Sequence, residues 1–197
     1  RKTKLVPNFQ IRGIPEVRSP FRDLPTKVFE LLIPLAFRYA PDIAFAMVLQ
    51  AFAGLRAGEA MNVRQEHSPL GPGLRFTEIE GRVMSAEIDL SKVLILRSDG
   101  KSVGRIKKPR KQEVFYPFVD AFCASYKYHL AFLRQRSFEP EYAPMFPNEQ
   151  GKAMMYDSYL KRFKALVTEH LRPLLLSSGD PELRIYGQKL CENNLTP

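Results

Sequence analysis

Tryptophan is absent from this 197-residue chain, cysteine occurs twice and histidine three times. Cys123 and Cys191 make neither a metal-binding spacing nor a disulfide framework, which excludes a structural zinc module and a disulfide-stapled secreted scaffold. Both fall in helix-like patterns and read as buried thiols. His67, His129 and His170 are scattered, and each reads as a surface or satisfied core residue, not as a ligand. No apolar run is long enough to span a bilayer, and the basic opening RKTKLVPNFQIRG lacks the apolar core and cleavage site of a signal peptide. The expectation is a soluble, cytoplasmic protein. GxGxxG, Walker, HExxH and GxSxG signatures are all missing, and Asp89, Glu139, Glu141 and Asp157 form no defensible acid–base pair. Neither a metal nor an organic cofactor is expected. Acidic residues are themselves in deficit: 21 Asp and Glu face 30 Lys and Arg, a net charge of +9. Such a balance suits a polyanionic partner.

What is present divides the chain simply. Residues 1–22 contain Pro7, Pro15 and Pro20, mixed charges and no periodicity, and read as a linker or arm. Residues 23–197 read as one domain. Val28, Leu31, Leu32 and Leu35 follow helical spacing, with Thr26 as N-cap and Pro34 as a kink. IAFAMVLQAFA (43–53) is apolar on nearly every face, which marks a helix buried in the centre of its domain; Gly54 ends it. RFTEIE, VMSAEIDL and KVLILR are β-compatible runs separated by turn residues, and GRIKKPRKQEVFYPF (104–118) ends like the return strand of a hairpin. Helical stripes resume at Val119, Phe122, Cys123, Tyr126, Leu130 and Leu133, then at Tyr159, Phe163, Leu166, Leu171 and Leu174, with a last helix over 182–193. The expected class is mainly α with a small antiparallel sheet, that is, α+β.

Two features carry chemistry. In GLRAGEA (54–60), Arg56 lies among residues that read as buried, so its charge needs a carboxylate or an anionic ligand. Glu59, three residues on, supplies the first as an i, i+3 ion pair. A phosphate would supply the second, held by a guanidinium fork behind a helix start. The other feature is the cluster Arg105, Lys107, Lys108, Arg110 and Lys111. Like charges at this density form a solvated surface or contact a polyanion, and the lack of interleaved aromatics favours duplex phosphates over single-strand stacking.

AFAGLRAGEAMNVR (51–64) resembles the first arginine motif of the tyrosine recombinases, the phage-integrase class, usually a buried helix followed by T-G-L-R-x-x-E-L. KKPRKQEVFYP (107–117) resembles that family's β-hairpin, which carries a catalytic lysine and ends R-x-V-P-L. APMFPNEQGKAM (143–154) is similar to its L-F-x-x-x-x-G-x-P segment, and NNLTP (193–197) to the T-P pair that often precedes H-x-L-R-H. The resemblance runs over residues 24–197 in the family's order. It departs from the pattern in a longer interval between the arginine and the lysine, with residues 65–92 as an enlarged loop or extra strand. His170-Leu171-Arg172 has the wrong spacing for the family's His-x-x-Arg.

The resemblance implies a recombinase catalytic-domain fold that assembles as an oligomer on duplex DNA. It cuts and rejoins DNA through a 3′-phosphotyrosine intermediate, for integration or excision of a mobile element. Arg56 would contact the scissile phosphate, with Glu59 helping to hold it. Counting back from Val114 makes Lys107 the general acid, with Lys108 the alternative. Arg105, Lys108, Arg110 and Lys111 would contact DNA. The His-x-x-Arg, its partner histidine or tryptophan and the nucleophilic tyrosine are expected beyond Pro197, so residues 1–197 alone are expected to be inactive. The rival expectation is a non-catalytic DNA-binding protein on the same scaffold.

Overall fold

Apolar residues at helical spacing build the first two elements. Val28, Leu32 and Ala36 line the buried face of α1 (Thr26–Tyr39), which runs through Pro34. Helix α2 (Pro41–Ala53) follows, with proline at its first position and Gly54 closing it in the left-handed conformation at φ 65°. A single turn, α3 (Ala57–Ala60), precedes the strands β1 (Leu74–Ile79), β2 (Arg82–Leu90) and β3 (Arg110–Glu113). Then come α4 (Val119–Arg134), α5 (Tyr156–Ala165), α6 (Arg172–Leu176) and α7 (Pro181–Lys189). This is a computed structural model describing residues 24–137, 140–190 and 197. The expected arm at 1–22, Cys191, the motif residues 193–196 and Glu139 lie outside the described residues.

The α+β class is observed. The three strands form one antiparallel sheet in the order β1-β2-β3, with an irregularity between Thr77 and Glu78. Helix α2 is buried on all sides, from Asp42 through Leu49, as a helix apolar all round must be. Phe45 sits at its middle with Phe122, Tyr126, His129 and Phe146 around it, ring centroids 5.2–6.3 Å away. His129 is a fully buried core residue: its Nε2–H donates to the Met145 carbonyl at 2.8 Å, while its Nδ1 has no such partner among the described residues. Burial pulls its imidazole down to about 4, so it is neutral at pH 7. Cys123 is half-buried, and burial pushes its thiol up. The last helices close onto the first: Lys27 bridges Asp180 and Glu182 at 2.9 and 3.1 Å, and His170 stacks on Tyr39 with centroids 3.9 Å apart. Among the described residues no helix is long and apolar enough to cross a membrane.

Four details differ from the expectations. Thr26 is the first helical residue and makes no cap; Pro25 stands at the N-cap position. KVLILR is not a strand: it lies in the connection between β2 and β3 and pairs with neither outer edge of the sheet. Val93 and Ile95 of that run are 70% and 66% exposed. The expected hairpin over 104–118 is instead a long connection from residue 91 to 109 that returns as β3, followed by a single turn at Tyr116–Phe118. Finally, the second helical stripe slips by one position: Leu175 is buried and Leu174 exposed. A π-helical stretch at Leu166–Leu171 joins α5 to α6, and Leu171 at its end is buried as expected.

Truncating the centre of this core tests its weight. Phe45→Ala should cost about 3–5 kcal/mol of stability, the usual toll of an aromatic-to-alanine cavity, as measured by urea unfolding.

Candidate functional site

The left-handed Gly54 turns the chain out of α2 into an extended step at Arg56 (φ −76°, ψ 154°). Extended geometry alternates the side chains: Leu55 and Ala57 are buried and Arg56 between them is exposed. The environment first read as buried therefore belongs to its neighbours. The Arg56 guanidinium makes no salt bridge with any described carboxylate, so the expected i, i+3 ion pair is not formed; Glu59 holds Arg56 through its backbone instead, its Oε2 accepting the Arg56 N–H at 3.1 Å.

Glu59 is 1% exposed and has a different counter-ion. Arg110 donates to it with both arms of its guanidinium, Nη1 to Oε1 at 3.0 Å and Nη2 to Oε2 at 3.1 Å. The Lys107 N–H points to the same Oε1 at 3.4 Å. Burial pushes the Glu59 carboxyl up, but the Arg110 fork and the two backbone donors outweigh it and hold the group below its ordinary value. One carboxylate thus joins the start of α3 to the end of the 91–109 connection. The resulting bidentate geometry is the strongest form of such a contact.

The five clustered cations divide accordingly. Arg110 is half-buried and also bonds Gln112 and the Lys108 carbonyl. Lys111 lies on β3 and pairs with Glu87 at 3.0 Å. Arg105, Lys107 and Lys108 are exposed, lie on the connection rather than on a strand, and make no salt bridge with a described carboxylate. Ile106 between them is buried and anchors the segment.

An open cleft of about 740 Å³ brings Arg56, Arg105 and Lys107 together with Gln50, Gly58 and Tyr156, and among the described residues no acidic side chain lines it. A neighbouring hollow of about 490 Å³ shares Arg56 and Lys107 and adds Lys108, Arg110 and Glu59. Tyr156 opens α5 on the cleft side, and its N–H donates to the Val103 carbonyl at 2.7 Å. Tyr159, one turn on, is buried beneath, bonded to Gln50. The APMFPNEQGKAM segment does not enter the cleft; it forms a turn in which Asn148 Oδ1 accepts from the Gln150 and Lys152 N–H groups. Asp89 and Glu141 bond Ser91 and Ser98, and among the described residues no cluster of His, Cys, Asp or Glu is arranged to hold a metal ion.

Sequence reading singled out Arg56, Glu59 and Lys107 but missed Gln50, Tyr156 and the Glu59–Arg110 pair. That pair joins residues far apart in the chain, and local spacing carries no signal for it. No family model, curated protein or solved structure matches this chain.

The Glu59 clamp has a pH signature. Its folded value lies below the ordinary 4.5, so its stabilisation is complete above that pH and is lost as the pH falls through the lowered value. Glu59→Gln, which turns a donor towards the guanidinium, should cost about 3 kcal/mol at neutral pH, the low end for breaking a buried pair. Urea unfolding at neutral pH and at about pH 3.5 should show the gap between the two proteins narrowing in acid.

Proposed function

We propose that this chain is the arginine- and lysine-bearing part of a tyrosine recombinase catalytic domain, which cuts and rejoins duplex DNA. The observation that carries this reading is the meeting of Arg56 and Lys107, distant in sequence, in one cleft that no acidic side chain of the described residues lines. Three cationic side chains on one wall suit a phosphodiester. The order of the four motif-like segments is the second support. Pro197, which closes NNLTP, also lines the cleft, where this reading needs the residues of the next motif.

In this mechanism a tyrosine hydroxyl attacks the scissile phosphorus while the bond to the 5′-oxygen breaks. Arg56 pairs its two-armed guanidinium with the non-bridging oxygens, whose charge is redistributed in the transition state. Lys107 gives a proton to the departing 5′-oxygen, and rejoining reverses each step. Glu59 acts through others: it fixes the Arg56 and Lys107 backbones and holds Arg110. Arg105 and Lys108 neutralise flanking phosphates, while Arg110 and Lys111, already engaged by carboxylates, contribute less to DNA than their charges suggest. A recombinase of this kind works as an oligomer on its DNA in the cytoplasm.

Duplex binding by this chain should weaken linearly in a plot of log K against log salt. Arg105→Ala and Lys108→Ala should each flatten the slope by about 0.9, and Lys111→Ala by less. Binding without salt dependence overturns the assignment of a phosphate surface here.

Catalysis is tested in a protein that includes the nucleophile. Lys107→Ala should slow strand cleavage by about 10²–10⁴ while leaving duplex affinity nearly unchanged. A substrate with a 5′-thiolate leaving group needs no proton and should restore the rate. Rescue of Lys108→Ala in its place moves the acid by one residue. Duplex binding with no cleavage by the unmutated protein favours the non-catalytic DNA-binding reading.

A further inference from the structure

The 91–109 connection has no sheet partner, yet its cation-bearing end is held at several points. Val103 is buried, and its carbonyl accepts the Tyr156 N–H at the start of α5. Gly104 lies directly against Gly58 of α3: a Cβ built on Gly104 would fall 2.4 Å from the Gly58 carbonyl oxygen. That contact turns two backbone carbonyls towards the same spot. Asn62 fills it. Its side chain is 4% exposed, and its Nδ2 donates to the Gly58 carbonyl at 2.7 Å and to the Gly104 carbonyl at 2.9 Å.

We propose that Asn62 is a positioning residue, which clasps the 103–107 segment to α3 and so holds Lys107 and Arg56 as one phosphate-binding pair. This rests on the reading of the cleft as a phosphate site. A side-chain amide with both hydrogens committed to carbonyls of two segments fixes their separation more tightly than apolar packing does. The clasp is complementary to the Glu59 clamp: Glu59 receives the Lys107 N–H, while Asn62 fixes the carbonyl three residues earlier. Between them, Arg105 and Ile106 have little freedom, and the exposed cations leave the surface from a fixed backbone. Pre-set geometry of this kind lowers the ordering cost of binding an anion across both side chains.

The test follows the backbone amide signals of Arg56 and Lys107 by NMR during titration with inorganic phosphate. In the unmutated chain both signals should move along one curve with a shared midpoint, and the Lys107 amide should exchange with solvent more slowly than that of Lys108. Asn62→Ala removes the clasp without adding bulk, and Gly104→Ala forces the segments apart without touching a side chain of the site. In either variant the Lys107 signal should cease to follow that of Arg56, the Arg56 midpoint should rise, and the Lys107 amide should exchange faster. Because both act on one contact, the double variant should lose no more than the larger single effect. Asn148→Ala, which loosens the distant turn, should lower the melting temperature and leave the shared curve intact. A shared curve that survives in Asn62→Ala or in Gly104→Ala overturns the proposal, even if stability falls. So does the absence of a shared curve in the unmutated chain. A shared phosphate curve without any duplex DNA binding leaves the clasp standing and removes the recombinase reading.

Discussion

A carboxylate removed from water must be met by donors on both of its oxygens, and around Glu59 those donors come from two separate stretches of chain. The Arg56 N–H belongs to the turn after the central helix; the Lys107 N–H belongs to the end of the long connection and the Arg110 fork to the first residue of β3. Leaving any of them out would strand part of a buried charge, which is among the costlier faults a fold can carry. The position of the cationic segment is therefore tied to the position of α3. A second consequence concerns Arg56 itself. Since Arg110 neutralises Glu59, the Arg56 guanidinium is left to face the cleft.

The rest of the fold serves as a support for that arrangement. Helix α2 is packed on every side and ends in a glycine whose left-handed turn sets the direction in which Arg56 leaves. The connection is pinned at its other end as well, where Arg97 bonds Asp99 and the Ala153 carbonyl. A nineteen-residue excursion without regular structure (91–109) is long for a compact domain, and excursions of that length usually have a binding role. Here it carries the exposed cations on a backbone fixed at both ends, which combines the accessibility of a loop with the precision of a framework.

The sequence was most legible where burial imposes a period. The apolar run at 43–53 announced a buried helix, the spacing at Val28 and Leu32 announced α1, and the alternation in RFTEIE and VMSAEIDL announced two strands. It misled where a β-compatible run stays out of the sheet. KVLILR has the composition of a strand, yet it passes the free outer edges of β1 and β3 without pairing. Leu174 was assigned to the core in place of Leu175 because they lie three and four residues after the buried Leu171, and helical spacing allows either on that face. At the candidate site, Arg56, Glu59 and Lys107 stood out by charge and motif. The identity of Glu59's partner did not, since several arginines had equal claim until the chain was folded.

The closure of the last helices onto the first has a mechanical side. Lys27 grips both Asp180 and Glu182, and Tyr39 lies flat against His170, so the two ends of the helical framework are fastened along a common seam. Tension applied between α1 and α7 would load that seam directly, since neither helix belongs to the three-stranded sheet. The sheet and the cationic connection are in this sense out of the load path.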